Sequence, residues 1–117
     1  MPYQAILEEF VRSVDRLDGA LLLDSTGELV LACGDVAMRH RLIGAYQAIV
    51  LAQAQRAAAR HALGEVRCLV WRYSDGTVIV RPLKDGYYLV ASVGPEGDVA
   101  RGLHRSADVQ ERLNAEL

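Results

Sequence analysis

Residues 65–93 read EVRCLVWRYSDGTVIVRPLKDGYYLVASV, and this stretch decides the fold. Asp-Gly pairs at 75–76 and 85–86 divide it into three runs rich in β-branched and aromatic residues, the pattern of strands joined by tight hairpins. In each run apolar residues occupy both alternating sets of positions, whereas a sheet with one solvated face alternates apolar with polar side chains. The stretch therefore predicts an antiparallel meander covered on both faces. Its predicted strands are Glu65–Ser74, Thr77–Lys84 and Gly86–Val93.

The rest of the chain supplies two more strands and three helices. Apolar residues spaced three and four apart predict an amphipathic first helix and a similar final helix. Between them, a Ser-Thr-Gly turn separates two apolar runs, which is typical of a hairpin. A long helix follows the hairpin, with Asp35 as its N-cap and Gly64 at its end. The predicted elements are helix Tyr3–Leu17, strands Ala20–Asp24 and Glu28–Cys33, helix Val36–Leu63, and a helix from Asp98 to the C-terminus.

Length and charge limit the class of protein. The 117 residues, with a net charge of −2, are enough for one hydrophobic core, so we expect a single domain over residues 1–117. A weakly acidic chain has no electrostatic footprint for phosphate backbones, which argues against a nucleic-acid partner. No apolar run approaches the roughly 20 residues of a membrane helix, and no signal peptide precedes the first helix. These features predict a cytoplasmic protein that does not insert into membranes.

The sequence offers no catalytic motif. The phosphate-binding loop, the Gly-x-Ser-x-Gly elbow, the His-Glu-x-x-His zinc motif and the Cys-x-x-Cys pair are all missing. His40 and His61 share a face of the long helix but are roughly 30 Å apart, too far to hold one metal ion. Cys33 and Cys68 are expected to be buried small side chains in a reducing compartment. We therefore expect that the protein is not an enzyme and that it has no catalytic residue, no cofactor and no metal site.

The long helix is apolar or small over more of its circumference than one sheet can cover. A helix that packs on a single sheet needs an apolar stripe about 100° wide. This excess predicts a second packing partner outside the domain. Arg39, Arg56 and Arg60 lie near the excess apolar side, where they form either the polar rim of a contact surface or a set of solvated charges.

The order of elements and two runs resemble the Roadblock/LC7 family, which includes the MglB-like regulators. The first run, 19–32 (GALLLDSTGELVLA), is similar to the family's strand, Asp-x-x-Gly turn and strand. The second, 78–90 (VIVRPLKDGYYLV), is similar to its strand, Pro-Leu, Gly and strand segment. Each motif alone is loose, and their combined order and spacing carry the resemblance over essentially the whole chain.

The resemblance implies an α+β fold of order α-β-β-α-β-β-β-α. Its five-stranded antiparallel sheet has the order 2-1-5-4-3, with the long helix on one face and the two terminal helices on the other. Cys33 and Cys68 would then belong to opposite sheet edges. The resemblance also implies a homodimer, in which the third strands pair edge to edge and the long helices pack together. Family members bind or regulate small Ras-like GTPases, or serve as scaffold subunits of larger assemblies.

We therefore expect a homodimeric interaction module that regulates a small Ras-like GTPase. Two alternatives stay open, a scaffold or adaptor subunit without any effect on a GTPase, and a small-ligand sensor domain. The partner-contact rim is predicted at Arg39, Arg56 and Arg60. The predicted dimer interface consists of Leu42, Tyr46, Ile49, Val50, Gln53, Ala57, Arg67, Leu69 and Trp71.

Overall fold

In the residues that it describes, the computed structural model contains three α-helices and five strands. It describes residues 2–34 and 38–117, and side chains for 2–34 and 46–117. Asp35, the predicted N-cap of the long helix, lies outside the described residues. The elements are α1 (Pro2–Ser13), β1 (Leu17–Leu23), β2 (Leu29–Gly34), α2 (Met38–Arg60), β3 (Leu69–Tyr73), β4 (Gly76–Pro82), a 3-10 turn (Lys84–Gly86), β5 (Tyr88–Val93) and α3 (Val99–Glu116).

The five strands form one antiparallel sheet in the order β2-β1-β5-β4-β3. Val90 of the central strand β5 lies opposite Leu21 of β1 and Val80 of β4. The strands β2 and β3 are the two edges. The predicted α+β class and strand order are confirmed.

The sheet is covered on both faces, as its doubly apolar strands predict. One core packs α1 and α3 against side chains such as Leu22, Ile79 and Leu89. The other core packs Leu51 of α2 against the alternate set, which includes Val80. Because successive strand residues point to opposite faces, β1, β4 and β5 each contribute buried side chains to both cores.

The terminal helices pack side by side on the first core. Phe10 of α1 and Leu113 of α3 are both buried there. The Tyr3 hydroxyl donates to the Glu116 carbonyl oxygen at 2.7 Å and joins the two helices near the chain ends. Asp98 caps α3 by accepting a hydrogen bond from the Arg101 amide at 3.0 Å, so the predicted start of this helix is confirmed.

The first helix is shorter than predicted, because it ends at Ser13 instead of Leu17. Arg16 has a left-handed backbone with φ of 59°, and its carbonyl oxygen accepts from the Gly94 amide at 2.9 Å. The chain turns here, and Leu17 begins β1 opposite Val93. In the sequence the helical spacing of apolar residues extends to Leu17. Leu17 fits that spacing because it packs in the same core as α1, although it belongs to β1.

The third strand is also shorter than predicted, since it begins at Leu69 instead of Glu65. Leu69 lies opposite Val80, which leaves Arg67 level with Pro82. Proline has no amide hydrogen to donate, so the ladder ends there. The strand therefore has five residues.

The last hairpin differs from the predicted tight turn at 85–86. Leu83 and Tyr87 close a longer loop through a hydrogen bond from the Leu83 amide to the Tyr87 carbonyl oxygen at 2.7 Å. The 3-10 turn fills that loop, with Asp85 at φ of 60°. The hairpin between β3 and β4 is confirmed, although its two loop residues are Ser74 and Asp75.

Helix α2 ends at Arg60, before the predicted Leu63. Ala62, with φ of 54°, takes the left-handed position at which glycine was expected. The Leu63 amide donates to the Ala58 carbonyl oxygen at 2.9 Å, and the Ala62 amide to that of Ala59 at 3.3 Å. This pair of bonds is the Schellman arrangement, which satisfies carbonyl groups at the helix end.

Candidate interaction surface

The edge strand β3 exposes large apolar side chains. Trp71 is 38% exposed, Tyr73 is 54% exposed, and Val70 is exposed as well. Among residues 2–34 and 38–117, β3 pairs with β4 alone, so its outer edge is open. An open apolar edge is a template for pairing with another chain.

The other edge strand, β2, also exposes Leu29 and Val30. Its pairing with β1 is interrupted by a register shift between Leu22 and Leu23. Such bulges are one of the devices that protect an edge from adding a further strand. β3 is paired to its neighbour without a shift, so it is the better candidate for strand pairing.

The outer side of α2 carries a second apolar patch. Tyr46 is 67% exposed and Ile49 is 59% exposed, while Gln47 and Leu51 face the sheet and are buried. At 100° per residue, Tyr46 and Ile49 lie on the side of the helix away from Leu51. The exposed polar and small residues on the same side are Gln53, Arg56, Ala57 and Arg60.

The two patches lie on the same layer of the domain. Trp71 is directly opposite Val78, and Val78 belongs to the core beneath α2. Residues opposite each other in an antiparallel pair point to the same face, so Trp71 and Tyr73 point to the α2 side of the sheet. We call the combined set the α2–β3 surface; it consists of Tyr46, Ile49, Gln53, Ala57, Trp71 and Tyr73.

Most residues predicted for the interface are accessible in the structure. Arg67 lies just before β3 and is exposed, whereas Val50 and Leu69 are half-buried. Leu69 packs against the core beneath α2. The side chains of Arg39 and Leu42 lie outside the described part of the chain. Pairing between two copies therefore stays a prediction for all of these residues.

The sequence-based interface omitted Tyr73. Leu69, Trp71 and Tyr73 alternate along β3 and share one face of the sheet, so the period that selected the first two extends to the third. The signal was present in the sequence.

Arg81 connects the edge of the sheet to α3. Its Nε donates to Ser106 Oγ and its Nη2 to the Leu103 carbonyl oxygen, both at 3.0 Å. Its Nη1 donates to the Arg67 carbonyl oxygen at 3.4 Å, and Gln110 Nε2 donates to the same oxygen at 3.3 Å. These bonds fix the backbone two residues before β3 and so position the candidate edge.

A groove of about 900 Å³ opens near the end of α2, beside the segment before β3 and the end of α3. Its charged lining residues are Glu65, Arg67, Lys84 and Glu111, two acidic and two basic. The lining residues of the groove therefore carry no net charge. The large aromatic side chains Phe10 and Tyr88 lie in the cores and are almost fully buried.

The cysteines have the properties of packing residues. Cys33 is buried, Cys68 is half-buried, and both are free thiols near opposite edges of the sheet, packed on the core beneath α1 and α3. Burial raises the pKa of each thiol, so both stay protonated near neutral pH and are poor nucleophiles. In the described ranges, 2–34 and 38–117, no three His, Cys, Asp or Glu residues are grouped so that they could hold a metal ion.

Comparison with known proteins gives a consistent fold. No family model matches the chain, and no curated protein is similar to it in sequence. A Roadblock/LC7 domain from Streptomyces avermitilis is 19% identical, with a TM-score of 0.84 over 96% of this chain and 94% of that one. MglB from Myxococcus xanthus is 13% identical, with a TM-score of 0.85 over 97% of this chain and 86% of that one.

A third structure, the gliding protein MglB of Thermus thermophilus, has a TM-score of 0.86 at 16% identity, over 97% of this chain and 87% of that one. The chain has a Roadblock/LC7 fold. Identities this low establish the fold alone, but the match extends over nearly the whole chain. For the helices of residues 2–34 and 38–117, none is both long and apolar enough to cross a bilayer.

Proposed function

We propose that this chain is a homodimeric interaction module, without catalytic activity of its own, that binds and regulates a small Ras-like GTPase in the cytoplasm. The observation that carries the proposal is the α2–β3 surface. It exposes Tyr46, Ile49, Trp71 and Tyr73 on one layer of a Roadblock/LC7 fold. Tyrosine and tryptophan are enriched where proteins contact one another.

Homodimerisation accounts for two features of the domain, the open edge of β3 and the exposed apolar side chains of α2. Pairing of β3 with the β3 of a second copy satisfies the open edge with main-chain hydrogen bonds. Packing of the two α2 helices then removes the apolar side chains of Tyr46 and Ile49 from water. One MglB structure of this fold is described as having a tetrameric arrangement, which supports self-association as a property available to the fold.

The GTPase partner is supported by the resemblance to the Roadblock/LC7 family. In this proposal the module repositions the switch residues of the GTPase and does not insert an arginine of its own. Two short connections, at residues 24–28 and 94–98, contain no arginine. Arg16 lies in the turn before β1, and its guanidinium is paired with Glu96 at 2.8 Å.

Two measurements on the purified protein test the proposal. Light scattering at micromolar concentration should give twice the mass of the chain. GTP hydrolysis by small Ras-like GTPases from the same genome should change when the protein is added. A monomer under all conditions contradicts the dimer. A dimer that binds no GTPase and changes no hydrolysis rate favours the scaffold alternative.

A further inference from the structure

The edge strand β3 also exposes side chains on the face of the sheet opposite α2. Val70 is 40% exposed and lies opposite Ile79, which belongs to the core beneath α1 and α3. Residues opposite each other in an antiparallel pair point to the same face, so Val70 points to the α1 and α3 side. Arg72, two residues further along β3, points the same way and is exposed. Strand pairing uses main-chain groups, so the proposed dimer leaves both side chains accessible from that face.

Helix α3 presents one flank to this uncovered strip of the sheet. Leu103, Ala107 and Gln110 follow one another at spacings of four and three residues and therefore lie along the same flank. Gln110 Nε2 donates to the Arg67 carbonyl oxygen just before β3, so this flank faces the β3 edge. Leu103 and Ala107 are half-buried. The strip therefore has an apolar floor at Val70 and an apolar wall on α3.

The position of α3 determines the width of the strip in the proposed dimer. A Cβ added at Gly102 would lie 3.3 Å from Ile79 Cδ1 of β4 and 3.4 Å from Val93 Cγ2 of β5, so α3 runs above the line between these strands. Pairing of β3 with the β3 of a second copy then places the two α3 axes about four strand spacings, or about 19 Å, apart. Packed helices lie about 8–10 Å apart, so exactly one further helix fits between them in contact with both.

We propose that the dimer binds one amphipathic α-helix of a partner protein between its two α3 helices. We call this site the α3–α3 slot; it consists of Val70, Arg72, Leu103 and Ala107 of both copies. The inference rests on the proposed homodimer, because a single chain supplies only one of the two walls. A helix satisfies its own main-chain hydrogen bonds, whereas an extended segment lying on the face of a sheet finds its main-chain groups already paired.

The exposed cation of the floor determines the charge of the bound helix. The ion pairs among the side chains of 2–34 and 46–117 do not include Arg72. Arg72 is level with Val93 in the ladder and so with Gly102 of α3. Glu111, an acidic residue on α3, lies about 13 Å further along that helix and does not cancel this charge. A carboxylate beside the apolar stripe of the bound helix can match each guanidinium with two parallel hydrogen bonds.

The test begins with a phage-displayed library of random peptides of about 16 residues, long enough for four helical turns. The library is selected on the full chain and counter-selected on Ala107→Arg, which places a long cationic side chain in the slot from each wall. Ala107 lies outside the α2–β3 surface, so light scattering should show that the dimer is retained. Ala5→Arg is the matched control and should keep the selected peptides. Ala5 is exposed on α1, which packs on the other flank of α3, where Arg112 pairs with Glu9.

The enriched peptides should have apolar residues three and four apart with acidic residues beside them. Circular dichroism should show that they become helical on binding. Fluorescence anisotropy with a labelled peptide should saturate at one peptide per two chains, because the slot lies on the two-fold axis. Arg72→Glu should weaken binding about tenfold, and a peptide with lysine in place of its acidic residues should regain affinity for this variant. A merely structural effect of the substitution would not be rescued in this way.

Several results would overturn the inference. No enrichment on the parent protein over Ala107→Arg, enriched sequences without helical spacing, or one peptide bound per chain contradicts the shared slot. Equal affinities of the parent protein and Arg72→Glu contradict the assigned charge. A parent tetramer that Ala107→Arg reduces to a dimer would assign the slot to a second dimer instead of a partner helix. A monomeric parent contradicts the proposed homodimer and the slot with it, whereas a dimer that selects no peptide contradicts only this inference.

Discussion

Gly34 and Gly64 have nearly the same backbone conformation but different surroundings. Substituting each of them therefore distinguishes the cost of a steric clash from the cost of backbone strain. Gly34 has φ of +85°, and an added Cβ would lie 2.5 Å from the carbonyl oxygen of Asp18. Gly64 has φ of +89°, and an added Cβ would meet no atom within 4 Å. Gly64→Ala should therefore lower the free energy of unfolding by about 1–2 kcal/mol, the usual cost of a left-handed residue with a side chain.

Gly34→Ala should cost more than Gly64→Ala, by roughly 1–3 kcal/mol, because the contact with Asp18 involves backbone on both sides. Urea denaturation of the parent and both variants measures the difference. Equal losses in the two variants would show that the end of β2 can move away from β1, and that the close approach at Gly34 is not a constraint.

The connection between β1 and β2 contains a titratable group that stabilises the turn. Asp24 Oδ1 accepts hydrogen bonds from the Thr26 hydroxyl at 2.6 Å, the Thr26 amide at 2.9 Å and the Glu28 amide at 3.1 Å. These bonds, with that from the hydroxyl contributing most, hold the pKa of Asp24 below its ordinary value of 3.8. They favour the ionised carboxylate in the folded state.

A lowered pKa in the folded state contributes stability above the unfolded pKa, and this contribution is lost as the pH falls through the folded pKa. Asp24→Asn should therefore be less stable than the parent at neutral pH and should lose less stability below about pH 4. Thr26→Val, which keeps the carboxylate but removes the hydroxyl donor, should be intermediate. Thermal unfolding as a function of pH measures both, and parallel profiles for all three proteins would contradict the assignment.

The elements were predictable wherever local pattern and tertiary packing agree. The two-sided apolar runs around Val80 and Val90 specified the central strands and the coverage of both faces. The ends of elements depended on contacts that are distant in sequence. Leu17 fits the helical spacing of α1, but it enters the core from β1 because Arg16 bonds to Gly94. No local signal in the first helix contains that information.

The candidate surface was predictable in composition but not in extent. Tyr46, Ile49 and Trp71 were selected from the helix and strand patterns, and the structure exposes all three. Arg67 fits the alternating pattern of the predicted strand. Its carbonyl oxygen, however, accepts hydrogen bonds from the side chains of Arg81 and Gln110. The start of the edge strand depends on Pro82, which lies level with Arg67, and on these side chains, all of which lie outside the run itself.

At the scale of the whole molecule, the substitution Ile49→Arg tests whether the dimer can be lost while the monomer stays folded. Ile49 is 59% exposed in the single chain, so the substitution should change the free energy of unfolding of the monomer by less than about 0.5 kcal/mol. In the proposed helix pair the same arginine would be buried without a counter-ion. An unpaired buried charge costs several kcal/mol, and a two-fold axis introduces it twice.

We therefore expect Ile49→Arg to be a folded monomer at concentrations at which the parent protein is a dimer, as measured by light scattering and circular dichroism. Val30→Arg is the matched control, since Val30 is also exposed and apolar but lies on the opposite edge strand, β2. A dimeric Ile49→Arg together with a monomeric Val30→Arg would move the interface to β2. If both variants remained dimeric, neither the exposed side of α2 around Ile49 nor the β2 edge around Val30 would be the site of self-association, and the open edge of β3 would have to hold the two copies together without the helix pair.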